Sequence, residues 1–365
     1  MVDTVEIAAN KKLIDLPHKV CPMTCMVNGL EDQYENKSGQ RLPDRLFFYV
    51  SGLGCSFAYL KNKNAPIPRL VLWGKNIKQQ YHALADVIGF DWEMTEDRSF
   101  GFSLERAKQY IDRGSPVILG ALDMFYLPYY SRFYRNIHIP YHYVMMVGYD
   151  QSRELILVHD CDRLEIQEIP YSELESAWNE YMPGVSRRNT LFKFDFHQEP
   201  PGVFSISREG FRRQAADMLE PPAGMFGIPG MRKLAGELAA WPGDLDDRGL
   251  TASLHFLVEF TGDPPNQPDR ISGFQTPIRH AAGRDGYARL LNKLAEQYTV
   301  REWALAAETF RHSGEMFEAF TDIVVDYLLE ETDSLEPAAQ LLIQIADTEE
   351  ALSLIHISEP TRLKT

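Results

Sequence analysis

Cys21 is the residue of this chain best placed for covalent chemistry. It stands directly before Pro22 in "KVCPMTCMVNGLEDQY" (19–34), at the start of a helix predicted over residues 20–35. Proline fits the first helical position because its missing N–H would be unpaired there anyway. A thiol at that point faces unpaired backbone N–H groups and the positive end of the helix dipole, which both favour the nucleophilic thiolate. The other three cysteines read as small buried hydrophobes. Cys25 lies one turn further along the same face, Cys55 in a glycine-flanked turn and Cys161 just after a strand. The Cys21-x-x-x-Cys25 spacing would tolerate zinc, but no second Cys or His pair follows at finger-like distance, so no metal is expected.

A nucleophile needs a base, and the base needs an orienting group. "YHYVMMVGYD" and "ELILVHD", separated by "QSR", read as an antiparallel hairpin. With residues 150–152 as its loop, Tyr149 pairs with Arg153 and His142 with Asp160. Directly opposed residues share a face, so the carboxylate can hold the imidazole in one tautomer. Register is the weak link: a one-residue shift brings in Cys161 and a two-residue shift brings in Asp162. Cys21, His142 and Asp160 together supply nucleophile, general base and orienting acid.

The elements that must carry these residues change character along the chain. Helix patterns follow one another at "LPDRLFFYVSGL", at "NIKQQYHALADVIGF" ending on Gly89, and at "SLERAKQYIDRG", with Ser103 as N-cap and Gly114 just past its end. Strand patterns then take over at "PVILGAL", in the hairpin and at "TLFKFDF" (190–196). This is an α+β arrangement of helices plus an antiparallel sheet, expected over residues 1–197. The proline-rich "HQEPPG" (197–202) marks a boundary, beyond which an all-α domain is expected over 198–351. The final stretch, "LSLIHISEPTRLKT" (352–365), is foreign in character. Residues 352–362 coincide with the in-frame translation of a widely used transposase sequencing adapter, so the native sequence is expected to break off near Ala351, and His356 carries no weight.

A chain of 365 residues that is 44% hydrophobic has enough apolar mass for two cores. Its formal charge of -15 argues against nucleic-acid binding, which needs a basic face. No stretch approaches the roughly 20 apolar residues of a membrane span, and the N-terminus lacks the apolar core of a signal peptide. Four cysteines without a regular framework fit a reducing, cytoplasmic setting. No Walker-type phosphate loop or Rossmann fingerprint is present, so no cofactor is expected.

"HKVCPMTCMVNGLEDQYENKSGQRLPDRLFFYVSGLGCSFAYL", "GALDMFYLPY" and "HYVMMVGYDQSRELILVHDCD" resemble the N-terminal domain of the butirosin biosynthesis protein H family, over roughly residues 13–196. The helical half resembles the domain that commonly follows it. The resemblance implies a papain-like cysteine-peptidase-type fold. It also implies an acyltransferase that moves an acyl group from an acyl carrier protein or coenzyme A thioester to a small amine acceptor of aminoglycoside type. Carried over by position, it puts the nucleophile on Cys21, the base on His142 and the orienting acid on Asp160. Family members often carry His directly before the nucleophile, where this chain has Val20, with His18 three residues before Cys21. The aromatic run "DMFYLPYYSRFYR" (123–135) offers Asp123, Tyr126 and Tyr129, with His18, as candidate substrate contacts. A carrier protein is itself acidic, so the basic runs "SRR" (186–188) and "REGFRRQ" (208–214) are candidate docking points. A papain-like cysteine peptidase or amidase, and an inactive papain-like binding module, are the alternatives.

Overall fold

The computed structural model describes residues 4–8, 11–19, 25–161, 163–179, 181, 186–262 and 281–358. The chain divides into two compact units, one formed by residues 1–47 and 76–203, the other by 48–75 and 204–365. The proline-rich stretch 197–202 lies in the first unit, just ahead of its last residue, Val203. The segment 48–75, expected in the first domain, goes to the second unit instead.

The first unit is built on an eight-stranded sheet whose pairs are all antiparallel. Its centre is β7 (His142–Asp150), buried along nearly its whole length. One edge of β7 pairs first with β6 (Val117–Leu122) and then with β2 (Lys11–Ile14); the other pairs with β8 (Leu155–His159). Beyond these lie β1 (Thr4–Ala8), β5 (Phe90–Thr95), β9 (Gln167–Pro170) and β10 (Leu191–Phe196). Helix α1 (Cys25–Ser38) lies against β6 and β7, and Gly29 is where it comes closest. A methyl group there would stand 3.2 Å from both Ile118 Cδ1 and Met145 Sδ. The predicted helix 20–35 is thus seen from Cys25 onward. Cys21, Pro22 and Val20 lie outside the described residues.

Two predicted helices differ in detail. The third runs Ile77–Leu84 and continues as a π-turn, Ala85–Gly89, closed by Gly89 at φ 82°. The fourth, Phe100–Asp112, begins a turn earlier than predicted because Ser99 accepts the Phe102 N–H as its cap. Ser103 is buried inside it and donates to the Asn189 carbonyl, so a good capping residue serves tertiary structure.

The second unit is helical, as its sequence predicts, apart from a two-stranded hairpin, β3 (Ala58–Lys61) with β4 (Arg69–Leu72). That hairpin is why residues 48–75 belong there. Phe57, Tyr59 and Val71 join one core with Met231, Trp241 and Leu254, and Tyr59 donates to Glu237 while accepting from the Trp241 indole N–H. The final helix runs Glu336–Ser358, so it extends into the stretch predicted to be foreign. No helix among the described residues is long and apolar enough to cross a membrane.

Candidate active site

His142 opens β7 and Asp160 follows the last residue of β8. The imidazole Nε2 lies 2.8 Å from both carboxylate oxygens of Asp160. Both residues are buried, His142 at 5% exposure and Asp160 at 0%. A carboxylate only accepts, so Nε2 carries the proton and the Nδ1 lone pair is left available as a base. Nδ1 has no hydrogen-bond partner among the described residues.

The expected pair is made, though not through the expected register. The hairpin loop is 151–154, one residue longer than "QSR". Asp150 Oδ1 shapes it by accepting from Ser152 N, Ser152 Oγ and Arg153 N, and Glu154 sits at φ 54°. Tyr149 therefore pairs with Ile156 rather than Arg153. A bulge at Val147 takes up one residue, after which Met145 faces His159. Continued past His159, this register sets Asp160 opposite Val144, two residues from His142 and on the same face. The carboxylate reaches the imidazole diagonally. An error of two residues preserves the face where an error of one would have lost it. Asp162 lies outside the described residues.

Asp160 is held from several directions. Oδ2 accepts from the Tyr129 hydroxyl at 2.8 Å and Oδ1 from the Cys161 N–H at 2.7 Å. Its backbone carbonyl lies 2.9 Å from His18 Nε2, whose Nδ1 is 2.6 Å from Asp32 Oδ2 on α1. The edge of the Tyr130 ring meets the His142 imidazole at 5.4 Å, and Arg163 lies over the rings of both Tyr129 and Tyr130.

These contacts reassign the candidate substrate residues. Tyr129 and His18 bind Asp160. Asp123 is 1% exposed; its Oδ1 accepts from Phe125 N and Ile139 N, and its Oδ2 pairs with His138 at 2.5 Å. Through these three contacts its carboxylate closes the loop of residues 123–139. Tyr126 packs on the sheet core beside Phe125 and beneath Arg135. The basic runs are also engaged locally. Arg212 and Arg213 both bond Glu209, and Arg187 and Arg188 lie against Glu96 and Asp97.

Sequence reasoning missed Asp32 and the role of His18. Their only signal was an acidic cluster on α1, Glu31, Asp32 and Glu35, which on an exposed helix would be unremarkable. Here Glu31 and Asp32 are buried. Burial pushes the Glu31 carboxyl up to about 8, against the opposing hydrogen bond from Phe47 N. His18, Asp32 and His159 approach one another closely enough to suggest a cation site. However, the His18 and His159 rings are stacked, with centroids 4.4 Å apart and planes 25° from parallel. An ion must lie near the plane of each imidazole it binds, so this arrangement cannot offer one ion both rings. His142, Asp160 and Cys161 also cluster, with Nε2 already committed to the carboxylate. Cys55 is fully buried and burial raises its thiol pKa far above the usual range, as suits an inert packing thiol. Cys161 is buried beside the Tyr130 hydroxyl.

Residues 24–161 match the family described as butirosin biosynthesis protein H, N-terminal. Residues 172–263 match a second family, described as a domain of unknown function, DUF4872. No curated protein sequence matches the chain.

Proposed function

The chain belongs to a butirosin biosynthesis protein H-like family, and from that premise we propose that it is an acyltransferase working through a cysteine thioester at a papain-like site. The observation that carries this reading is the buried His142–Asp160 pair, its Nε2–H fixed on the carboxylate and its Nδ1 left as the basic atom. Nδ1 takes the Cys21 thiol proton, and the thiolate attacks the carbonyl carbon of an acyl thioester. The donor's C–S bond breaks and its sulfur leaves with the proton from His142. An amine then attacks the acyl-Cys21 carbonyl and gives its proton to Nδ1; the C–S bond to Cys21 breaks as the amide forms, and His142 returns the proton to the Cys21 sulfur. Asp160 keeps the imidazole in one tautomer and stabilises the imidazolium at each turn. The donor is an acyl carrier protein or coenzyme A thioester and the acceptor a small amine of aminoglycoside type.

An apolar acyl group suits the surroundings of the pair. Exposed Ile137 and Tyr141 lie on the segment leading into His142, and exposed Leu164 and Ile166 on the segment leaving Asp160. The test is intact mass after incubation with acyl-coenzyme A or acyl-carrier thioesters. The expected result is an acyl adduct that is absent from Cys21→Ala and discharged by an added aminoglycoside. Peptide or amide cleavage without an adduct would replace transfer by hydrolysis. Neither adduct nor cleavage would leave a binding module.

A further inference from the structure

Beneath the His142–Asp160 pair lies a second His–Asp pair that the acyl-transfer scheme does not use. His18 has both ring nitrogens engaged, Nδ1 at 2.6 Å from Asp32 Oδ2 and Nε2 at 2.9 Å from the Asp160 carbonyl oxygen. Its side chain is 4% exposed and that of Asp32 3%. A carboxylate and a peptide carbonyl can only accept, so both nitrogens donate and the ring is an imidazolium. We propose that His18, charged against Asp32, is a positioning residue that grips the Asp160 backbone and thereby fixes the angle at which the Asp160 carboxylate meets His142.

The surroundings agree with a charged ring. Burial alone would lower the His18 pKa, but the hydrogen bond and charge of Asp32, with the Asp160 carbonyl, outweigh it and the net direction is upward. The ring stacked on it, His159, is driven down to about 4 by burial and by the His18 charge, and so stays neutral. The other titratable groups facing the pair are Lys19, beside Asp32, with Glu31 and Glu35 along α1; burial raises the Glu31 carboxyl to about 8, so it adds little charge at neutral pH. The geometry also explains why the grip falls on backbone. Asp160 lies just past the paired residues of β8, where no strand partner among the described residues holds its carbonyl. With Tyr129 and the Cys161 N–H holding the carboxylate, its backbone and side chain are both fixed. Displacing a reacting group by about an ångström costs up to roughly a hundredfold in rate, so such bracing matters at this position.

The inference rests on His142 being the base that serves Cys21, and the experiment separates the two. Iodoacetamide alkylation of Cys21 is followed against pH in wild type, His18→Gln, Asp32→Asn and His142→Ala, each first checked by circular dichroism. Wild type is expected to keep a reactive thiolate on the acid side of neutrality. His18→Gln is expected to lose about tenfold of that acid-side rate. Asp32→Asn, which can still engage Nδ1, is expected to lose less. An unchanged profile in His18→Gln alongside a collapsed one in His142→Ala overturns the positioning role alone. Unchanged profiles in both overturn the base assignment. Should His18→Gln fail to fold, ¹⁵N-histidine spectra of the wild type decide. Two protonated nitrogens on His18 through neutral pH are expected, and a lone-pair nitrogen on it sinks the proposal.

Discussion

At the scale of single residues, the choice between Asp160 and an amide in its place turns on which nitrogen of His142 holds the proton. Asn at 160 can present its NH₂ to Nε2 and so favour the tautomer with the proton on Nδ1, where it blocks base chemistry. Asp160→Asn is expected to fold like the wild type and to lose about a thousandfold or more in single-turnover acyl transfer. A loss under tenfold would remove Asp160 from the mechanism. Glu31 makes a different prediction. Its folded pKa of about 8 lies above that of an unfolded glutamate. Its contribution is therefore fully present below about pH 4 and is lost as pH rises through about 8. Glu31→Gln keeps an acceptor for Phe47 N but cannot ionise. It is expected to raise the melting temperature at neutral pH, by the equivalent of a few kcal/mol at most, and to flatten the alkaline side of the stability profile. A variant less stable than wild type at pH 8 would show that Glu31 is held ionised.

At the scale of elements, the glycines of "GLG" (52–54) have a structural reason. Gly54 sits at φ 78°, and a methyl group on it would come within 2.5 Å of the Phe48 ring. Gly283, just ahead of the helix Arg284–Tyr298, is at φ 85°, and its added carbon would stand 1.9 Å from the Gly54 carbonyl oxygen. Gly283 is blocked by the Gly54 backbone and Gly54 by the Phe48 and Tyr49 rings, so neither admits a side chain. Gly54→Ala is expected to cost about 2–4 kcal/mol, read as a lower urea midpoint with unchanged slope. A change under half a kcal/mol would deny the close contact with the Phe48 ring. Element identity was legible wherever period and punctuation agreed, as in β6, β7, β8, β10 and the helical second half. It failed where tertiary contacts decided. Ser103 looks like a cap and is a buried donor. The strands β3 and β4 have four residues each, too few for a period to show, and β5, whose FDWEMT does alternate, follows directly on the helix pattern that ends at Gly89. In the site, sequence could name His142 and Asp160 because parity along a strand survives a two-residue slip. It could not name Asp32, because nothing in a helical sequence says which acidic residue will be buried against a histidine fourteen positions away.

At the scale of the whole molecule, a buried ion pair joins two helices of the second unit. Arg284 is 0% exposed and Glu349 1%. The guanidinium makes a two-pronged contact with the carboxylate at 2.8 and 2.9 Å. It also donates to the Ala282 carbonyl, while Ser313 donates to Glu349. The pair ties the helix at 284–298 to the last helix. Arg284→Met strands a buried carboxylate and is expected to cost about 3–5 kcal/mol, whereas Arg284→Met with Glu349→Leu is expected to recover most of it. Thermal melts of the two variants check this, and equal melting temperatures would contradict it.

The hairpin at 58–72 leaves a debt of time. It is translated early, yet the helices that cover Phe57, Tyr59 and Val71 include Gly227–Leu238 and Asp247–Thr261. At about 5–20 residues per second the ribosome needs roughly ten to forty seconds to deliver them. Throughout that interval a nascent chain carries a short apolar hairpin with no place to bury it, so synthesis rate and chaperone supply bear on yield before any chemistry begins.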